Sequence, residues 1–198
     1  MTSSATAHRR ALMAALASVT LSGAAKADRS ESAPRKATSR TLVAYFSRSG
    51  NTRVVAGLIQ RARAADLFEI RPAKPYPDDY LATVEQARQE RDRGDEPALE
   101  AHVHEIDAYD TVYLGFPIWG ETAPPVIRSF LSAHDLSGKS LVPFVTHGGY
   151  GIGNSQAVLA KGAPKANLRR GFVMQGDQER QTMKLVTQWL DEIKAKKT

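Results

Sequence analysis

The feature that most constrains this chain is an alternation that begins at Thr41. Short runs rich in β-branched and aromatic residues take turns with stretches of helical period, the pattern of a parallel sheet with helices on both faces. The first strand is Thr41 to Phe46 (TLVAYF). A polar turn follows, then a helix from about Asn51 to Ala64 with Val54, Val55, Leu58 and Ile59 on its inner face. Asp66 to Ile70 (DLFEI) is the second strand. Pro72, Pro75 and Pro77 break the chain before a helix from about Asp79 to Arg93.

Thr111 to Phe116 (TVYLGF) is the third strand, ending at Pro117, and Pro124 or Pro125 opens the next helix, where a missing N–H costs nothing. Ser140 to Val145 (SLVPFV) is the fourth strand, although Pro143 within it prefers an edge or a bulge. A helix from about Asn154 to Lys161 and a strand near Gly171 to Met174 come next. The last helix, capped by Asp177, places Leu185, Val186, Trp189, Leu190 and Ile193 at helical spacing. The expectation is five strands and about five helices in one α/β domain over residues 41–198, with no internal repeat.

Composition matters at three points. At 198 residues and 42% hydrophobic, the chain can bury a full core. It has no cysteine, which removes disulfides, thiolate metal sites and cysteine nucleophiles together. Of the net charge of +6, residues 1–27 carry three units and residues 28–40 two, leaving +1 for residues 41–198. The basic residues do not concentrate in the domain, so there is no nucleic-acid footprint. Nor does any run approach the roughly 18–20 apolar residues of a membrane-spanning helix.

Residues 1–27 read as a secretory signal. His8-Arg9-Arg10 supplies the positive region, Ala11 to Leu21 the short apolar region, and Ala25-Lys26-Ala27 the small residues of a cleavage site. The arginine pair resembles a twin-arginine leader. Residues 28–40 (DRSESAPRKATSR) have almost no large apolar side chain and read as a disordered tether. An exported, periplasmic protein is the expectation.

In an open parallel sheet, ligands sit beyond the carboxyl ends of the strands, where strand order reverses. Three loops there carry chemistry. After the first strand, Ser47-Arg48-Ser49-Gly50-Asn51-Thr52 runs straight into a helix. Its hydroxyls, amide and permissive glycine, set at the positive end of a helix, make an anion site. Without the lysine of a triphosphate loop or a G-x-G-x-x-G pattern, the site suits a terminal phosphate monoester. After the third strand comes Pro117-Ile118-Trp119-Gly120, whose indole offers a flat face for an aromatic ring. After the fourth comes Thr146-His147-Gly148-Gly149-Tyr150, where glycines let backbone approach a ligand and Tyr150 adds a second aromatic.

These runs together (YFSRSGNT, DLFEI, YPDDY, GFPIWG, FLSAHDLSGK and PFVTHGG) resemble the flavodoxin-like FMN-binding family over roughly residues 41–195. The family's phosphate loop, T-x-T-G-N-T, has Ser47 and Ser49 in place of its threonines. The resemblance implies the family's doubly wound, five-stranded parallel sheet in three layers, with strand order 2-1-3-4-5 and FMN at the switch point. It implies that Ser47, Arg48, Ser49, Gly50, Asn51 and Thr52 hold the phosphate. Pro117, Ile118, Trp119 and Gly120 would pack on the ring, and Thr146, His147, Gly148, Gly149 and Tyr150 would contact its far edge. It also implies electron transfer through the flavin, to a redox partner protein or a small quinone-like substrate.

Two departures stand out. Carrier flavodoxins are strongly acidic, whereas this domain is near neutral, and His147-Gly148-Gly149 stands where their third loop usually holds an aspartate. An electron carrier and a small NAD(P)H- or quinone-linked FMN reductase share every motif above. In both, the chemistry belongs to the flavin, so no catalytic acid or base is assigned. A serine hydrolase is the reading from another class, since His147-Gly148-Gly149 resembles an oxyanion motif and Gly153-Asn154-Ser155-Gln156-Ala157 a nucleophile elbow. The elbow lacks a strand of its own, however, and no late Asp and His pair follows it. A flavin-free scaffold is a third reading, against which the intact phosphate loop stands.

Overall fold

The computed structural model describes residues 40–176 and 179–195. Four strands, β1 (Thr41–Tyr45), β2 (Asp66–Glu69), β3 (Thr111–Pro117) and β4 (Ser140–His147), pair in parallel. Two short strands, β5 (Asn167–Leu168) and β6 (Phe172–Gln175), both lie along the outer side of β4. The order is β2-β1-β3-β4-β5, the doubly wound arrangement expected from the sequence.

Side chains alternate across this sheet and feed two cores. Leu42 and Ala44 of β1, Val112, Leu114 and Phe116 of β3, and Leu141 and Val145 of β4 face one way. There they meet α3 (Pro125–Ala133) and α4 (Ser155–Gly162). Val43, Tyr45, Tyr113, Val142 and Phe144 face the other way, onto α1 (Asn51–Arg63) and α5 (Glu179–Ala195). The result is three layers. Burying a side chain of this class contributes about 1.5–3 kcal/mol. Phe116 and Phe130 anchor the first core and Phe144 the second, all fully buried. The remaining helix, α2 (Tyr80–Arg93), packs beside α3 and starts at Asp79, whose carboxylate accepts the Ala82 N–H at 2.8 Å.

The structure resolves the problem of Pro143. The carbonyls of Lys139, Leu141 and His147 accept N–H groups from Asn167, Arg169 and Gly176, so odd-numbered residues of β4 turn their backbone toward β5 and β6. Pro143 is odd and has no N–H to give. Opposite it the fifth strand breaks: Leu141 pairs with Leu168 and Phe144 with Phe172, so three residues oppose two. This is a one-residue bulge, and it is why the fifth strand comes in two pieces rather than as the single run near Gly171 to Met174.

Other expectations need correction. Val54 is 55% exposed, not inward, and Leu58 is only half-buried. The inner stripe of α1 is Thr52, Val55, Ala56 and Ile59: the last three are fully buried in the second core, and the Thr52 hydroxyl bonds Thr146 at 2.9 Å on the same side. Arg40, expected in the tether, belongs to the domain. Its carbonyl accepts the Asp110 N–H, and its guanidinium pairs with Asp66 at 2.8 Å. The leader and the rest of the tether lie outside the described residues, as does Asp177. Among the described residues, no helix is long and apolar enough to cross a membrane.

Candidate functional site

The three expected loops converge at the carboxyl ends of β1, β3 and β4, strands that are neighbours in the sheet. The first begins at buried Phe46. Ser47 Oγ accepts the Gly50 N–H at 3.1 Å, which folds the loop back on itself. Gly50 is the N-cap of α1, at φ 97° in the left-handed region, and it places no side chain over the helix start. No acid occupies the first turn either. The positive end of α1 therefore faces the site without an internal anion. Ser49 and Arg48 are exposed. The Arg48 guanidinium donates to the Asp78 carbonyl at 2.6 Å and lies over the Tyr80 ring.

Thr52 and Thr146 were expected to contact a ligand from two different loops. The structure brings them together but turns them inward: both are buried and their hydroxyls bond each other. Asn51 is half-buried, its amide beside Gly176.

The second loop is built like a hairpin tip. Ile118 N–H donates to the Thr146 carbonyl, extending the β3–β4 pairing. Trp119 and Thr122 then exchange backbone hydrogen bonds around Gly120 and Glu121, at φ 55° and 65°. Two consecutive left-handed residues make a type I′ turn, which Gly120 accepts without strain and Glu121 does not. The turn is locked from outside. The Glu121 carbonyl accepts the Asn154 N–H at 2.9 Å, and a Cβ on Gly153 would lie 1.9 Å from that oxygen. Only glycine fits there, so the second loop is clamped against the start of α4. Trp119 is half-buried and meets Phe46 (5.3 Å, 82°) and Tyr76 (4.9 Å, 86°) edge to face.

In the third loop the His147 Nδ1 accepts N–H groups from Gly149 (3.0 Å) and Gly151 (3.2 Å). Those two bonds put the imidazole proton on Nε2. His147 therefore shapes its own loop first, and only Nε2–H remains to donate outward. Gly148 and Gly149 are exposed, and Tyr150 stands 80% exposed. A cavity of about 430 Å³ opens on the β2 side of the first loop, walled by Phe46, Ser47, Arg48, Tyr76, Pro77 and Asp78 among others. It shares Phe46 and Tyr76 with the aromatic trio but not the third loop.

Three contributors, Tyr76, Glu90 and Arg91, went unseen in the sequence, and Gly153 was legible only as a permissive loop glycine. Tyr76 backs Trp119, and Glu90 of α2 accepts the Tyr76 hydroxyl at 2.8 Å. The Arg91 guanidinium lies against Gly120, and Gly153 clamps Glu121. The prolines around Tyr76 were the available signal, since they hold a tyrosine in a fixed extended loop beside the site. Ser155, by contrast, is fully buried with Oγ donating to the Ile152 carbonyl at 2.6 Å, so the hydrolase reading has no accessible nucleophile. Among the described residues no cluster of potential metal ligands occurs.

Comparisons with known proteins agree with this geometry. A family model described as Flavodoxin matches residues 40–193. Two Bacteroides structures, each provisionally described as a flavoprotein, are similar to the chain. The one from Bacteroides eggerthii DSM 20697 has 38% identity and a TM-score of 0.68, covering 79% of this chain and 98% of its own. The one from Bacteroides uniformis ATCC 8492 has 34% identity and a TM-score of 0.69, covering 77% and 98%. A flavoprotein of Lactobacillus acidophilus NCFM, solved in complex with FMN, shares the fold at 21% identity and a TM-score of 0.62, covering 74% of this chain and 99% of its own. No curated protein matches. With its motifs on three adjacent strand ends and a family match over nearly the whole described domain, the chain belongs to the flavodoxin family.

Proposed function

We propose that the chain binds FMN and serves as a redox protein through it. The observation that carries this reading is the start of α1, which has a glycine cap, no side-chain cap bond from that residue and no acid in its first turn. Such a helix end stabilises an anion, and the hydroxyls of Ser47 and Ser49 lie beside it. The same family fold holds FMN in the Lactobacillus protein. Ser47, Ser49 and the backbone of Gly50 to Thr52 would hold the phosphate, Trp119 and Tyr150 would flank the ring, and His147 Nε2–H would donate to its polar edge. When bound, the flavin supplies the capacity to accept and give up electrons; the protein binds it, orients it and sets its electrostatics. Mass spectrometry of the heat-released cofactor tests the reading. FMN is expected, and recovery of FAD, or no uptake at saturating FMN, overturns it.

The near-neutral domain favours a second reading beside the electron carrier, a small reductase acting on NAD(P)H or quinone-like substrates. Steady-state oxidation of NAD(P)H by the pure holoprotein separates the two. Export is proposed on the leader alone. Replacing Arg9 and Arg10 by lysine keeps the charge of the leader, so retention of precursor in the cytoplasm is expected if the pair is read by a twin-arginine receptor. Mature protein outside the cytoplasm in that variant would leave the arginines with charge as their only role.

A further inference from the structure

Glu90 presents a problem that the phosphate and ring loops do not solve. It is 7% exposed on the inner side of α2, and among the described residues no cation pairs with its carboxylate. Arg128 comes near but donates to the backbone carbonyls of Glu90 and Asp95. Burying a carboxylate without a cation is costly, and a neutral side chain would fill the space at less expense. Both carboxylate oxygens are nevertheless engaged: Oε1 accepts the Gln86 amide and Oε2 the Tyr76 hydroxyl, each at 2.8 Å.

The second of these bonds leads to the ring loop. Tyr76 lies on an irregular segment between Pro75 and Pro77, so no helix or strand fixes its ring. Its hydroxyl donates to Glu90 and also lies by the Val126 backbone N–H at the start of α3, and its ring stands at 86° to the Trp119 indole, 4.9 Å away. Phe46 braces the same indole at 82°. Burial and the neighbouring carboxylate push the Tyr76 phenol well above its ordinary pKa, so it keeps the proton that makes the bond.

We propose that Tyr76 and Glu90 are positioning residues for the cofactor: they set the pose of the Trp119 indole against the flavin ring, and the buried carboxylate biases the bound flavin against taking up electrons. This rests on the FMN reading with Trp119 at the ring. Two cations of opposite sign stand near: Arg91 beside Gly120, 35% exposed and screened by solvent, and half-buried Arg128, held by the backbone carbonyls of Glu90 and Asp95. They weaken the carboxylate's effect without bonding to it.

The test compares Tyr76→Phe and Glu90→Gln in the full chain by FMN titration, midpoint potential and thermal midpoint. Glu90→Gln keeps an acceptor for the Tyr76 hydroxyl and removes the charge. FMN affinity is expected to stay close to native while the balance of oxidised and reduced flavin moves about three- to tenfold toward reduced, about 15–30 mV upward for a two-electron couple. Tyr76→Phe keeps the ring and loses the tether, and FMN affinity is expected to weaken by about three- to tenfold. If both variants lose thermal stability while affinity and potential stay native, the pair is only structural and the proposal is overturned. Trp119 emission, read with Trp189→Phe in place, separates the two readings. If FMN binds without quenching Trp119, FMN binding survives, but Trp119 is not at the ring and the proposal falls with it.

Discussion

The two ends of the sheet treat their polar groups in opposite ways. At the amino end they satisfy one another. Asp66 accepts from Arg40 and from the Tyr109 hydroxyl, each at 2.8 Å. Buried Lys139 donates to the carbonyls of Tyr109 (2.9 Å) and Asp107 (3.4 Å). His134 accepts the Val103 N–H at Nε2 and bonds the Phe130 carbonyl through Nδ1. At the carboxyl end His147 takes the Gly149 and Gly151 N–H groups and Ser47 the Gly50 N–H. The helix start behind Gly50, however, has no side-chain cap of its own and no acid in its first turn, Gly148 is exposed, and Tyr150 stands in solvent. The end that keeps helix N–H groups uncapped is the one where the proposed FMN phosphate would bind.

If that contrast is right, a charge at the open end should destroy binding and spare stability. Ser47→Asp keeps an acceptor for the Gly50 N–H but sets a fixed negative charge where a phosphate is expected. Like charges a few ångströms apart cost about 2–4 kcal/mol near a protein surface. FMN affinity should then fall by more than about 30-fold with an unchanged thermal midpoint. Native affinity in this variant, measured by flavin fluorescence, would remove the anion from the start of α1.

The reciprocal change belongs at the closed end. Lys139→Met leaves the buried Tyr109 carbonyl without its donor, at a cost of about 1–3 kcal/mol. The thermal midpoint should drop by several degrees while FMN affinity holds. Loss of affinity in step with stability would mean that the two ends are coupled.

A smaller effect sharpens the division within the open end. Trp119→Ala removes aromatic contact worth about 1–1.5 kcal/mol, so FMN should bind about tenfold more weakly. An unchanged dissociation constant would assign the indole wholly to the trio with Phe46 and Tyr76.

The smallest expected effect is a slope with pH. Burial, helped slightly by His102, holds the His134 pKa below its ordinary value. Above about pH 6.5 the imidazole is neutral in both folded and unfolded chains, and its contribution to stability is complete. As pH falls from there toward the lower folded value, the unfolded chain takes up a proton that the native one refuses, so stability is lost. Thermal midpoints between about pH 6.5 and 5 should fall less steeply in His134→Gln than in the native protein. Equal slopes would place the acid sensitivity elsewhere.

Much of this was readable without coordinates. Strand and helix positions follow from hydrophobic period, and the start of α2 at Asp79 and of α3 at Pro125 follow from cap and proline chemistry acting over a few residues. The Ser47–Thr52 loop was legible for the same reason, since its hydroxyls, glycine and helix start are contiguous. Even the conflict at Pro143 was visible as a conflict, because a missing N–H is a property of one residue.

Its resolution was not. The bulge needs residues 169–171 laid beside β4, and no local pattern announces that pairing. Likewise Thr52 finds Thr146, 94 residues away, on the face where Val55, Ala56 and Ile59 are buried, and Val54 is left facing solvent. Trp119 could be named as an indole on a ligand-facing loop. That Tyr76 braces it and Glu90 holds Tyr76 depends on where α2 packs. The local sequence determines which groups each loop offers, because turns, caps and periods act over a few residues. The tertiary structure decides which of those groups bond one another and which stay open, because that choice is made between segments the chain brings together only on folding.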